Sequence, residues 1–170
     1  MYMLRKITID DETLIKDYQK AMLESNSSMD GCSGLSNQKD IHHYICQCID
    51  YDLGINIKKN HVSSTQYICL NDKGIIVGMC SLRHYLNDIL IHVGGHIGYS
   101  VHPSYRKQGV ATYMLKELIK ICNTKNTNPI LLTCLQENIG SKKTIIKCGG
   151  IYEDTRYIGN DKIERYWIYL

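Results

Sequence analysis

The residues best suited to chemistry lie in one stretch, Gly98-Tyr99-Ser100-Val101-His102-Pro103-Ser104-Tyr105-Arg106-Lys107-Gln108-Gly109-Val110-Ala111. A strand-like run ends at Val101, a turn built on Pro103 follows, and Arg106-x-x-Gly109-x-Ala111 opens a helical pattern. The first N–H groups of a helix lack internal partners and carry partial positive charge. A glycine at that point lets the backbone approach a ligand closely. Arg106 and Lys107 add formal charge. Together these features make a cradle for phosphate oxygens, and the site fits a pyrophosphate. Neither the P-loop pattern nor the dinucleotide Gly-x-Gly-x-x-Gly is present.

Other polar residues are candidates for acceptor chemistry. Arg83 and His84 end the strand-like run before this stretch, and Asn87 follows in a connecting loop. They could bind a carboxylate, for which a guanidinium offers two parallel donors. Tyr99, Tyr105, Tyr113 and Tyr152 are possible acids, but tyrosine is abundant here and phenylalanine absent, so each reads first as a packing residue. His42-His43-Tyr44-Ile45-Cys46-Gln47-Cys48 resembles half of a metal site. No second pair follows to complete four ligands, so no metal is expected.

The elements that must position these groups follow from periodicity and turn chemistry. Residues 4–9 read as a strand, and Asp10 and Asp11 cap a helix running to about Leu23. Residues 25–38 are turn-rich and read as a mobile loop. Residues 40–53 carry an apolar stripe at Ile41, Ile45, Cys48, Ile49 and Leu53, which predicts a helix. Residues 66–70 and 74–82 are strands joined by the turn Asn71-Asp72-Lys73-Gly74. A further strand is expected over about 92–101, a helix over 109–122, a strand over 130–134 and a helix over 138–148 stopped by Gly149-Gly150. Residues 151–157 and 163–170 form a closing hairpin. The order predicts one domain over residues 1–170, a mixed α/β layered fold. About four helices flank a largely antiparallel central sheet of about six to seven strands.

Composition narrows the class. The 170 residues are 44% hydrophobic and 22% charged, with net charge +3, which does not argue for nucleic acid. No run of about 18 apolar residues suggests a membrane span. The N-terminus lacks the order of a signal peptide, so a cytoplasmic protein is expected. The eight cysteines then read as reduced thiols, three of them, Cys69, Cys80 and Cys134, within apolar strands.

The stretch from Gly98 to Ala111 resembles motif A of the GNAT N-acetyltransferases. Downstream, Leu131-Leu132-Thr133-Cys134-x-x-Glu137-Asn138-x-x-Ser141, followed by Cys148-Gly149-Gly150, resembles motif B. The segments Leu82-Arg83-His84-x-Leu86-Asn87, Gly94-Gly95-His96-Ile97-Gly98-Tyr99-Ser100 and Arg165-Tyr166-Trp167-Ile168 are similar to an uncharacterised bacterial subgroup of that superfamily. The resemblance implies the GNAT acyl-CoA N-acyltransferase fold, with acetyl-CoA as cosubstrate. It implies that main-chain groups of Ser100 and Val101 bind the pantetheine arm. Arg106, Lys107, Gln108, Gly109, Val110, Ala111 and Thr112 would cradle the pyrophosphate. Asn138 and Ser141 would lie beside the thioester end or the pantetheine.

Two departures from the family pattern matter. Ala111 replaces the commoner second glycine. Ile145 stands where many members place a tyrosine that protonates the leaving thiolate. His96 lies where relatives carry a proton-accepting group, and with His84 it is the expected catalytic residue. Arg83 and Asn87 are expected to bind the acceptor. The function implied is direct acetyl transfer to an amine, of a small molecule for preference. Acetylation of a protein or peptide, or CoA binding without catalysis, are the alternatives. The apolar terminal strand, residues 165–170, also suggests a homodimer formed through its edge.

Overall fold

In the computed structural model, which describes residues 1–170, the alternating and 3.6-periodic segments become seven strands and five helices. In chain order these are β1 (Tyr2–Lys6), α1 (Glu12–Glu24), α2 (Ile41–Leu53), β2 (Ser64–Asn71), β3 (Ile76–Arg83), α3 (Asp88–Val93), β4 (Ile97–Val101), α4 (Val110–Thr124), β5 (Ile130–Leu135), α5 (Ile139–Lys147), β6 (Ile151–Ile158) and β7 (Asp161–Ile168). The strands form two antiparallel sheets, ordered β1-β2-β3-β4 and β5-β7-β6. The expected mixed α/β class is observed, but the sheet is divided between β4 and β5.

Alternation along β2 and β3 supplies both layers. Ile68, Leu70, Ile76 and Met79 face one side, where they bury Ile15, Tyr18 and Met22 of α1 and Ile41, Tyr44 and Ile45 of α2. Tyr67, Cys69, Val77 and Cys80 face the other and bury Met114, Leu115 and Leu118 of α4. Successive side chains of a strand point to opposite faces, so one strand serves both cores. All eight cysteines are free. No helix is long and apolar enough to cross a membrane.

Several sequence expectations are corrected. The segment expected as a strand from residue 92 is split. Its first part belongs to α3, whose N-cap Asn87 accepts a bond from Leu90 N–H at 3.0 Å, and only Ile97–Val101 is extended. The segment expected as a mobile loop is packed, with Cys32 and Leu35 fully buried. Gly31, at φ +71°, lies directly on β4: a Cβ there would stand 2.2 Å from the main chain of Gly98. Finally, the C-terminal strand β7 is the centre of its sheet and has no free edge. The free edge is β6, which exposes Ile151, Tyr152, Tyr157 and Ile158. The edge pairing expected of residues 165–170 is therefore not available to β7, because β5 and β6 occupy both its sides.

Candidate active site

The two sheets meet at one seam. His96 N–H donates to Leu131 O at 2.7 Å, and Leu131 N–H donates to His96 Nδ1 at 2.9 Å. Beyond this seam no ladder joins β4 to β5. The strands part and leave a cleft of about 720 Å³. One wall is the open edge of β4, whose five residues extend about 16 Å. His102 N–H donates to Val77 O, and Arg83 N–H to His96 O. With Met79 opposite Ser100, this register turns the main-chain groups of Ser100 toward β3. Those of Tyr99 and Val101 face the open edge. Of the two residues expected to offer main-chain groups to a ligand, Val101 is so placed and Ser100 is not. Tyr99 takes its place. The Ser100 hydroxyl instead bonds Tyr18 Oη at 3.0 Å and Cys32 Sγ at 3.1 Å inside the core.

One end of the cleft is the start of α4. None of the backbone N–H groups of residues 107–112 donates to a protein acceptor; the first intrahelical bond nearby is Tyr113 N–H to Gly109 O at 2.9 Å. These consecutive free donors lie where the helix dipole is positive. The conformation depends on Gly109, which caps the helix in the left-handed region at φ 84°. Lys107 shares that region at φ 60°. The Arg106 guanidinium reaches back across the mouth, donating to Val101 O at 3.3 Å and to Ser27 Oγ at 2.6 Å. Arg106, Lys107, Gly109, Val110, Ala111 and Thr112 line the cleft, as does Lys147 of α5. Gln108 lies outside this lining, its side-chain amide donating to Ser104 O at 3.0 Å.

The opposite wall is the start of α5. Asn138 caps it, accepting from Ser141 N–H at 3.0 Å. The Ser141 hydroxyl meets Tyr99 Oη at 2.8 Å across the cleft. Burial raises the Tyr99 phenol to about 12, so it keeps its proton. Ile145, one turn along α5, is fully buried in the core. Thus Tyr99, from β4, brings a phenol to the helix on which the family pattern would place one. Cys134 also lines this wall, and burial pushes its thiol up to about 11, which argues against a nucleophile.

The four expected acceptor-end residues separate. His96 Nδ1 is occupied by the Leu131 N–H, which assigns the ring proton to Nε2. Burial, and secondarily Arg83, lowers its pKa to about 4. Its ring is not part of the cleft wall. The ring ties the two sheets together and does not face the cleft. His84 Nε2 bonds Thr65 Oγ1 at 2.8 Å and lies 3.8 Å from Asp52, away from the cleft. Asn87 has both side-chain groups engaged, with Leu90 N–H and with Asn60 O at 3.0 Å. Only Arg83 reaches the cleft. Its Nη1 donates to Gly94 O at 3.1 Å and Gly95 O at 2.9 Å. Asp30, which sequence reasoning missed, is the one carboxylate lining the cleft. Its only sequence signal is an acid within a turn-rich segment.

Comparison with protein families matches residues 2–151 to the acetyltransferase (GNAT) domain. The chain belongs to the GNAT acetyltransferase family. Solved structures agree on the GNAT fold. The ribosomal-protein-S5-alanine acetyltransferase from Vibrio fischeri superposes with TM-score 0.75 at 16% identity, covering 99% of this chain and 92% of that one. A single-substitution variant of spermidine N-acetyltransferase from Vibrio cholerae gives 0.67 at 14%, covering 98% and 94%. The microcin C7 self-immunity acetyltransferase, solved with acetyl-CoA and AMP, gives 0.68 at 16%, covering 99% and 92%. Comparison with curated protein sequences finds no match.

Proposed function

We propose that this GNAT protein is an acetyl-CoA-dependent N-acetyltransferase that transfers acetyl directly to a primary amine of a small molecule. The observation that carries the reading is the run of free N–H groups at residues 107–112, set beside the open edge of β4. The donors suit a pyrophosphate, and Arg106, Lys107 and Lys147 balance its charge. The exposed main-chain groups of Tyr99 and Val101 suit the amide-bearing pantetheine, which pairs with them as an added strand would. The acetyl group then lies toward the start of β4, near Gly98, Arg83 and Asp30, because the cradle directly follows the strand's other end.

The acceptor nitrogen attacks the thioester carbonyl carbon. A C–N bond forms, the C–S bond breaks, and CoA leaves as a thiolate. Asp30 takes the proton the nitrogen must lose. Tyr99, protonated and held by Ser141, donates a hydrogen bond to the leaving sulfur, which solvent then protonates. Calorimetry with CoA, followed by thiol release from acetyl-CoA across a panel of amines, tests the reading. Absence of CoA binding at millimolar ligand overturns it. CoA binding without amine-dependent thiol release leaves a binding module and overturns the enzyme assignment.

A further inference from the structure

A second cavity, of about 410 Å³, opens on the α2 side of the first sheet. It shares Asp30, Gly31 and Arg83 with the cleft, so the two spaces meet at the acetyl end. Its volume falls in the range of small-molecule sites. Asp30 and Arg83 are the only charge-bearing carboxylate and guanidinium on its wall, and it has no lysine. Neither takes part in any ion pair, with each other or with another residue. Arg83 spends only Nη1 on Gly94 O and Gly95 O. Nε and Nη2 have no protein partner. They are not sealed from solvent either, since Arg165 Nε is the one buried side-chain polar atom left unpaired. The carbonyls of Gly94 and Gly95 hold the guanidinium in place and leave its other edge free. Two opposite charges thus flank the point where an acceptor amine must stand. Asp30 accepts from Ser28 Oγ at 2.9 Å and acts on Arg83 through space, but neither is closed off in an ion pair.

The remaining wall carries no other carboxylate, lysine or arginine. Gln47, Ser64 and the Tyr51–His61 pair, whose Oη and Nδ1 lie 2.9 Å apart, supply polar groups. Ile89 and Leu90 of α3 supply apolar ones. We propose that this cavity is the acceptor pocket and takes a free α-amino acid with an uncharged side chain, its ammonium on Asp30 and its carboxylate on Arg83. Asp30 takes one proton from the bound ammonium and frees its lone pair for attack. The second N–H proton leaves to solvent as the amide forms and the thiolate is protonated, so the reaction consumes the ammonium form and acetyl-CoA and yields the N-acetyl amino acid, CoA thiol and one proton. A polyamine would leave Arg83 facing a cation, and an amino-acid amide would leave the guanidinium without its anion. The inference rests on the acetyl-transfer reading above.

The experiment uses the full chain, acetyl-CoA and three acceptor sets: free amino acids with uncharged side chains, their carboxamides, and spermidine. Thiol release is followed, and products are identified by mass spectrometry. Free acids should exceed their amides in kcat/KM by about 10- to 100-fold, the range of a charge-assisted bond. Arg83→Lys should shrink that ratio while leaving the CoA dissociation constant unchanged. Gln47→Trp, which fills the cavity from α2, should raise the acceptor KM, again without effect on CoA. Amides equal to acids, preference for spermidine, or CoA binding with no turnover of any amino acid would each overturn the inference. Loss of CoA binding in the wild-type chain would instead overturn the acetyl-transfer reading beneath it.

Discussion

Replacing His96 with alanine separates a structural histidine from a catalytic one. The variant deletes the acceptor of Leu131 N–H at the seam between the sheets. An orphaned buried donor costs about 1–3 kcal/mol, so His96→Ala should be less stable than wild type by about that amount at pH 7. The pH dependence supplies an independent reading. His96 has a pKa near 4 in the folded chain against an ordinary 6.5. Between those values the unfolded chain binds the extra proton, so stability falls as pH drops from 6.5 and levels off below about 4. The full effect is about 3 kcal/mol, at about 1.4 kcal/mol per pH unit. Alanine cannot titrate. The stability gap between the two proteins should therefore shrink, and close or reverse, by pH 4. Urea unfolding of both proteins from pH 8 to 4 measures this, and taking the difference cancels the other acidic groups. Turnover per folded molecule should stay near wild type. A loss of turnover of about 10²–10⁴ together with a stability gap independent of pH would refute the reasoning and make His96 the base.

Gly109→Glu should keep the fold, because a Cβ at that position meets nothing within 4 Å. The left-handed backbone costs about 1–2 kcal/mol, seen as a melting-temperature drop of a few degrees, and calorimetry should show CoA binding lost; retained affinity would place the phosphates elsewhere. Tyr99→Phe should lower kcat by about 10² with CoA affinity unchanged, whereas wild-type kcat would remove Tyr99 from the thiolate's surroundings. Gly31→Ala sets a Cβ 2.2 Å from Gly98 main chain at φ +71°. It should cost about 2 kcal/mol or more, with activity falling in step as Asp30 is displaced; unchanged melting and turnover would show that the 25–38 segment does not dock as described.

What could be read directly from the residues was local. The start of α4 was legible because a strand, a Pro turn and Gly109 before an apolar-periodic run are nearest-neighbour signals. So were α1 from the acids at its start, α2 from its apolar stripe, β2 and β3 from their hairpin turn, α5 from the Gly149-Gly150 stop, and the α/β class that their order implies. The division of the sheet was decided by tertiary structure. At the seam the His96 ring takes Leu131 N–H, and beyond it no ladder joins β4 to β5. Strand register was also beyond local reading, and a shift of one residue exchanges Ser100 for Tyr99 at the open edge. Helix α3 was hidden because β-branched Ile89, Ile91 and Val93 suit a strand as well as a helix, and the Asn87 cap decides only once the chain turns. Asp30 reaches the cleft through the contact of Gly31 with Gly98, residues 67 positions apart in the chain. Local propensity carries no information about such a contact, since it exists only when both core layers have formed around β4. Residue types along the chain settled which chemistry was available; the packing of the two sheets settled which of those groups face the same space.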